Sequence, residues 1–327
     1  MDFYTTVKCG KQDPGITYDS RLMLLGSCFT DNIGDRLRRA KFNVMVNPHG
    51  ILYNPLSMSK ALSEVMECRQ YETGDLVFHG GLYHSMMHHG SFSDERPDVV
   101  LSDINRRIAA AHSWLKEADW LVMTFGTSYI YKYGGEVVSN CHKLPEKAFE
   151  RSLCPHETMF EDYMKLLDAL FHINAKLKVI VTVSPIRHLR DGMHGNAVSK
   201  ANLMMFVDSL MQAWPDRLCY FPSYEIMLDE LRDYRFYASD MVHPSDVAID
   251  YIWEKFTGMF MDKGTMSVME KCEAIDRMRG HRPINQGSAA HQSFLDKMKD
   301  EILAVLSLHP SLDFSDELSY ISMMKEH

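Results

Sequence analysis

The chain has 327 residues, of which 46% are apolar and 24% charged, and its formal net charge at pH 7 is −9. This composition is typical of a globular protein with a full core, and the acidic balance argues against nucleic acid or an anionic membrane as the partner. The sequence contains no run of about 18 apolar residues, so we predict no membrane span. The first residues lack the pattern of a secretory signal. The seven cysteines include no CxxC pair, which favours reduced thiols and a cytoplasmic location.

Apolar runs along the chain predict five short strands, at about residues 21–25, 42–46, 119–125, 178–184 and 218–221. Amphipathic segments predict intervening helices at about residues 30–41, 56–68, 100–117, 157–175 and 197–214, and another helix after residue 245. Strands that alternate with helices indicate a parallel sheet covered on both faces. We therefore expect an α/β, flavodoxin-like three-layer sandwich with the strand order 2-1-3-4-5.

We assign residues 1–263 to this α/β domain and residues 264–327 to a C-terminal helical extension with a break at 280–287. The segment at about 69–98 interrupts the alternation with several glycines, and we interpret it as an insertion that contains a small hairpin. It also holds His79, His84, His88 and His89. Histidine clusters can bind zinc, but this spacing matches no ligand motif, so we predict no metal.

The first predicted strand ends in Gly26-Ser27-Cys28, and a helical pattern follows at once. Such a turn places Ser27 and Cys28 at the carboxyl edge of the sheet, where ligands bind in open α/β folds. The positive end of the helix dipole should favour a thiolate and lower the pKa of Cys28. The alternative is that Cys28 is buried behind the sheet and only contributes to core packing.

Asp240 and His243 lie three residues apart just before the last helix of the α/β segment. At this spacing the carboxylate can accept the Nδ1–H of the imidazole, which leaves Nε2 free to take a proton from a nucleophile. A helix-capping aspartate with an incidental histidine is the alternative.

Several motifs together resemble the GSCFA domain family over about residues 20–260. They are Gly26-Ser27-Cys28-Phe29-Thr30, Asn47-Pro48-His49-Gly50-Ile51-Leu52-Tyr53-Asn54-Pro55, Asn140-Cys141-His142-Lys143, Val183-Ser184-Pro185-Ile186-Arg187-His188 and Asp240-Met241-Val242-His243-Pro244-Ser245. The family is placed in the SGNH (GDSL-like) hydrolase superfamily. The resemblance therefore implies a five-stranded parallel sheet between helices and does not specify the reaction.

Aligning the GDSL motif without gaps puts Cys28 at the nucleophile position and Ser27 at the aspartate position, although a serine nucleophile is the superfamily default. The final block of the superfamily falls on Asp240 and His243, and the glycine that donates to the oxyanion falls on Gly50.

The Gly-x-Asn block of the superfamily is replaced by Gly126-Thr127-Ser128, which lacks the asparagine amide. Thr127, Ser128 or the nearby Asn54 could supply the missing donor to the oxyanion.

Further polar residues lie near the predicted strand ends. Arg187 and His188 could bind an anionic substrate group or could anchor the turn that follows them. His142 could line the pocket or bond to backbone.

These residues favour an acyl hydrolase or acyltransferase that forms an acyl-enzyme on Cys28 or Ser27 and needs no cofactor. The expected substrate is a small acyl ester, a thioester or an acylated saccharide. The alternative is a non-catalytic module that binds such a ligand.

Overall fold

A five-stranded parallel sheet organises the fold of this chain, for which a computed structural model describes residues 4–281 and 288–325. Over these residues the strands are β1 (Arg21–Gly26), β2 (Asn43–Val46), β3 (Leu76–His79), β4 (Leu82–Ser85), β5 (Trp120–Phe125), β6 (Tyr129–Tyr133), β7 (Glu136–Val138), β8 (Phe149–Leu153), β9 (Lys178–Val183) and β10 (Leu218–Tyr220). The helices are α1 (Cys28–Arg39), α2 (Pro55–Met66), α3 (Pro97–Glu117), α4 (His156–Ile173), α5 (Gly192–Ala213), α6 (Ser223–Glu225), α7 (Asp246–Phe260), α8 (Lys263–Arg279), α9 (Ala289–Leu308) and α10 (Ser315–Lys325).

The strand order of the main sheet is β2-β1-β5-β9-β10, which confirms the predicted order 2-1-3-4-5. Strand β5 pairs in parallel with β1 on one side and with β9 on the other, and β9 pairs in parallel with β10. Because parallel strands share a direction, their carboxyl ends meet at one edge of the sheet.

Both faces of the sheet are buried, as the alternation of strands and helices predicts. Met23 and Leu25 of β1 belong to one apolar core with residues of α2, α3, α4 and α5. Leu22 and Leu24 are also fully buried, and alternate side chains of a strand point to opposite faces. The α/β layered fold predicted from sequence is therefore confirmed.

Two small antiparallel sheets accompany the main one. The predicted insertion contains the hairpin β3–β4, as expected. The sheet β7-β6-β8 between residues 129 and 153 was not predicted, because its strands are short and rich in tyrosine and charged residues. Gly134 and Gly135, both with positive φ, form the two-residue turn between β6 and β7, and this Gly-Gly pair is a hairpin signal.

The chain divides into two compact units, of which the second comprises residues 11–20, 35–43 and 257–327. Residues of α8, α9 and α10 share an apolar core within it. The Lys41 ammonium lies 2.8 Å from both carboxylate oxygens of the buried Glu317, which ties residues 35–43 to this unit. Most of the predicted break at 280–287 lies outside the described residues. Across the described ranges, no helix is both long and apolar enough to span a membrane.

Candidate active site

Gly26 ends β1 in a conformation that only glycine adopts readily. Its φ is +154°, and a Cβ atom there would lie 2.4 Å from Oγ1 of Thr30 and 2.7 Å from Thr124. The Gly26 N–H donates to Oδ1 of Asn47 at 2.9 Å, and Nδ2 of Asn47 donates to Asp31 at 2.7 Å. Asn47 therefore fixes the turn that carries the candidate nucleophile, a role that the sequence analysis missed.

The two candidate nucleophiles have different surroundings. Ser27 is 1% exposed, and its hydroxyl donates to Oγ of Ser184 at 3.2 Å. Cys28 is the first residue of α1 and is partly exposed, with its Sγ 3.8 Å from the hydroxyl of Tyr53. Burial and the nearby Cys28 sulfur raise the pKa of Tyr53, so its phenol keeps its proton and can donate to the sulfur.

His243 and Asp240 form the hydrogen-bonded pair that their spacing predicts. Oδ2 of Asp240 lies 2.6 Å from Nδ1 of His243, and Oδ1 accepts the backbone N–H groups of Val242 and His243. These hydrogen bonds lower the pKa of Asp240 to about 2, so the carboxylate stays ionised. Met241, in the left-handed region with φ +58°, closes this turn. The Nε2 atom of His243 accepts no hydrogen bond from the residues that the structure describes.

Cys28, Ser27 and His243 line one cavity of about 280 Å³ at the carboxyl edge of the sheet. Other residues of its wall are Tyr53, Asn54, Thr127, Tyr129, Tyr131, Arg151, Arg187, His188 and Arg190. Phe29, whose bulk could have filled this space, is instead buried and only 2% exposed. The cavity thus leaves room for a small ligand beside the sulfur.

Asn54 is the side-chain amide best placed to donate into the cavity. Its Oδ1 caps α2 by accepting the N–H of Ser57 at 2.8 Å. With Oδ1 occupied, Nδ2 has no hydrogen-bond partner among residues 4–281 and 288–325, and Asn54 is part of the cavity wall. The N–H of Cys28 lies in the first turn of α1, where helix geometry provides no carbonyl partner for it. This N–H and the Asn54 amide are thus two donors from residues of the same cavity wall.

The structure does not bring Gly50 or Ser128 to the cavity wall. The N–H of Gly50 donates to the carbonyl of Asn47 at 2.8 Å, so the donor role expected of Gly50 does not fit its position. A Cβ at Gly50 would lie 2.2 Å from that of His89, and its φ is +79°, which explains the glycine without catalysis. Ser128 is fully buried, and its N–H and hydroxyl bond to Ser199.

Gly126 and Thr127 contribute to the frame of the cavity. Both backbone N–H groups donate to the carbonyl of Tyr53, at 2.8 and 3.0 Å. The hydroxyl of Thr127 lies 3.0 Å from that of Ser199, and Thr127 is part of the wall. The two hydrogen bonds to the Tyr53 carbonyl join the exit of β5 to the segment that carries Tyr53 and Asn54.

The structure places Arg187 and His188 on the wall. The backbone N–H of Arg187 donates to the carbonyl of Val242, and its guanidinium lies 4.3 Å from the ring centre of Tyr237. Burial and the nearby Lys200 lower the pKa of His188 to about 4, so its imidazole is neutral at pH 7.

His142 is not part of the cavity wall. Its Nε2 lies 2.8 Å from the carbonyl of Ser85, and its ring stacks on that of His84. Of the two interpretations, the one in which His142 bonds to backbone fits.

The other histidines near the predicted insertion are packed together. His49 stacks on His88 with ring centres 4.5 Å apart, and Nε2 of His49 lies 3.2 Å from the buried Glu64. Across the part of the chain that the structure describes, no three His, Cys, Asp or Glu residues are placed to hold a metal ion.

Lys200 is a buried lysine that none of the sequence motifs indicated. It is 1% exposed, and its Nζ donates to the carbonyls of Gly126 and Ser184 at 2.7 Å each. In the helical register of α5, Lys200 shares a face with Leu203 and Val207, both buried. The sequence did contain a signal for this burial, because the predicted helix places a lysine on its apolar face.

Comparison with protein families gives two matches. The GSCFA family matches residues 21–256, and the GSCFA domain protein, C-terminal domain, matches residues 272–324. Among curated proteins, no match was found. The chain is also similar to the crystal structure of a carbohydrate esterase family 3 from Talaromyces cellulolyticus, with 11% identity and a TM-score of 0.33 over 77% of this chain and 98% of that chain.

Proposed function

This chain belongs to the GSCFA family, and we propose that it performs acyl chemistry on an ester or thioester, as a hydrolase or an acyltransferase. The observation that carries the proposal is the joint placement of Cys28 and the His243–Asp240 pair on one cavity. A nucleophile, a base and a group that orients the base are the parts that covalent acyl transfer needs. The same arrangement agrees with a place in the SGNH superfamily.

In this mechanism Nε2 of His243 takes the proton of the Cys28 thiol. The thiolate then attacks the acyl carbonyl carbon, and the carbonyl electrons move to its oxygen to give a tetrahedral intermediate. Asp240 holds the Nδ1–H of the imidazole and stabilises its protonated form. The N–H of Cys28 and the amide of Asn54 donate to the oxyanion.

Collapse of this intermediate breaks the bond to the alcohol or thiol, which leaves with the proton from His243. The acyl group then remains on Cys28 as a thioester. In the second half, His243 removes a proton from water or from an acceptor hydroxyl, which attacks the thioester carbonyl. Collapse of this second intermediate breaks the bond between the carbonyl carbon and the sulfur, and His243 returns the proton to Cys28. Water gives hydrolysis and an acceptor hydroxyl gives transfer.

The substrate that we propose is a small acyl ester or an acylated saccharide. A cavity of about 280 Å³ accepts an acyl group with part of its carrier, and larger carriers would extend into solvent. Tyr53, Tyr129 and Tyr131 provide aromatic surface in the wall, on which a sugar ring or an acyl chain can pack.

A non-catalytic binding module is the second candidate, and one observation favours it. The Sγ atom of Cys28 contacts the Tyr53 hydroxyl, and within the described ranges no hydrogen bond joins Cys28 to His243. Catalytic hydrogen bonds are often longer without substrate, so the first candidate is consistent with the same geometry.

Intact-protein mass spectrometry after incubation with p-nitrophenyl acetate separates the two candidates. We expect an acetyl adduct that peptide analysis places on Cys28, together with release of p-nitrophenol. The Cys28→Ala variant should show neither. A protein that binds the ester without forming an adduct or releasing p-nitrophenol would support the binding module.

A further inference from the structure

The charged residues of the cavity wall differ in sign from the chain as a whole. The wall contains Arg151, Arg187 and Arg190 but only one carboxylate, that of Asp191, whereas the formal charge of the chain is −9. A cationic cavity in an acidic protein concentrates anions at that cavity.

Two of these arginines already have carboxylate partners. Arg151 binds both carboxylate oxygens of Asp191, with Nη2 2.6 Å from Oδ2, and its guanidinium lies over the ring of Tyr129. Arg190 pairs with Glu146, whose side chain is 83% exposed. Exposed ion pairs of this kind contribute little to stability, so Arg190 can exchange Glu146 for another anion.

Arg187 has no carboxylate within salt-bridge distance among the residues that the structure describes. Its guanidinium packs against the ring of Tyr237. This contact stabilises the cation but does not neutralise its positive charge. The side chain is half-buried, so it is partly accessible to a ligand in the cavity. The planar fork of five N–H donors fits a carboxylate or phosphate group.

We propose that the cavity selects substrates that carry an anionic group, a carboxylate or a phosphate, and that Arg187 binds it. This inference rests on the proposed function for the identity of the reaction, but the binding of the anion does not depend on catalysis. The substrate class becomes an acyl ester or thioester with a negative charge close to the acyl group. Because Arg187 lies in the same wall as Cys28, the charge would orient the acyl carbonyl toward the sulfur.

Alkylation of Cys28 by iodoacetate and by iodoacetamide tests the proposal without any ester. The two reagents differ in charge, and peptide mass spectrometry gives the rate at each cysteine. Cys68, which is partly exposed and lies outside the cavity wall, serves as the reference within the same chain. We expect the iodoacetate-to-iodoacetamide rate ratio to be about tenfold higher at Cys28 than at Cys68.

Arg187→Gln should remove this preference. Arg106→Gln makes the same change in net charge on the exposed surface of α3 and should leave the preference unchanged. An equal loss in both variants, or a preference that survives Arg187→Gln, would overturn the proposal.

Calorimetric titration with inorganic phosphate and with succinate, on the wild-type protein and on Arg187→Gln, does not depend on a reactive Cys28. Binding of either anion, absent for sodium chloride at equal ionic strength and weakened in Arg187→Gln, supports the proposal and identifies the preferred anion. Heat no larger than that of chloride for both anions would refute it. A protein that binds the anion but forms no acyl adduct would retain the anion site and lose the proposed function.

Discussion

The Nζ atom of Lys200 lies 2.7 Å from the carbonyl oxygen of Ser184, at the exit of β9. It is equally close to the carbonyl of Gly126, at the exit of β5. Oγ of Ser184 in turn accepts the hydroxyl of Ser27, which adjoins Cys28. One buried amine thus links the three strand exits that surround the candidate nucleophile.

We expect Lys200→Met to lower the free energy of unfolding by about 2–4 kcal/mol, because two buried carbonyls lose their donor. Burial lowers the pKa of Lys200 to about 7 from its usual 10.5, so between these values the unfolded chain binds more protons. Wild-type stability should therefore rise as the pH increases from about 7 to about 10.5, and the variant should lack this rise. Urea unfolding over that range measures both effects.

Lys176→Met is the matched control, because Lys176 is exposed and pairs with Asp119 at the surface. It should change the free energy of unfolding by less than about 1 kcal/mol and should keep the pH dependence of the wild type. If Lys200→Met kept the wild-type slope with pH, another group would be responsible for it.

Much of the main fold was predictable from the sequence because local signals agree with the long-range structure. Buried parallel strands appear as continuous apolar runs, and Lys178–Val183 is the plainest of them. The sheet of β6, β7 and β8 escaped because Tyr129–Tyr133 is stabilised by its neighbours and has no apolar run of its own.

The site was predictable where the contact is local and was missed where it is distant. The spacing of Asp240 and His243 determines their hydrogen bond, since both lie in one turn. The role of Gly50 could not be judged from its motif, because its close approach to His89 of the insertion is created by the fold. Lys200 reaches Gly126 across 74 residues, a contact that only the fold creates.

Replacement of each candidate nucleophile separates their roles. Cys28→Ala should lower kcat for p-nitrophenyl acetate by about 10⁴-fold or more, because it removes the attacking atom. Ser27→Ala should keep most of the activity but lose about 1 kcal/mol of stability, since the buried hydroxyl bonds to Ser184. Steady-state kinetics and urea unfolding provide the two measurements. Full activity in Cys28→Ala with none in Ser27→Ala would reverse the assignment.

Asp240→Asn should lower kcat by about 10²–10⁴-fold while leaving the fold intact. The asparagine oxygen can still accept the N–H groups of Val242 and His243, but its amide cannot accept the Nδ1–H of the imidazole. The histidine then carries its proton on Nε2 and no longer acts as a base. Asp233→Asn, at a carboxylate that caps a turn without a histidine, is the control. Similar losses in both variants would point to turn stability instead of the tautomer.

Acid should affect the same pair in a direction set by the lowered pKa of Asp240. Its folded-state pKa of about 2 lies below the usual 3.8, so its stabilising contribution is present above pH 3.8 and is lost as the pH falls toward 2. Wild-type stability should therefore fall more steeply than that of Asp240→Asn over this interval. If the free energies of unfolding of the two proteins fell in parallel between pH 3.8 and 2, the assignment would be contradicted.

Substitutions at Asn54 can separate helix capping from stabilisation of the oxyanion. Asp and Ser are N-cap residues as good as Asn, so Asn54→Asp and Asn54→Ser should keep the bond to the Ser57 N–H and change stability by less than about 1 kcal/mol. Both remove the amide Nδ2 donor, and kcat should fall by about 10²–10³-fold with little change in KM. Asn54→Ala removes the cap as well and should add a stability loss of about 1 kcal/mol. Thermal unfolding and steady-state kinetics on one ester give both quantities for all three variants. Activity within a few-fold of wild type in Asn54→Ser and Asn54→Asp would assign the oxyanion donors to the backbone and Thr127 instead.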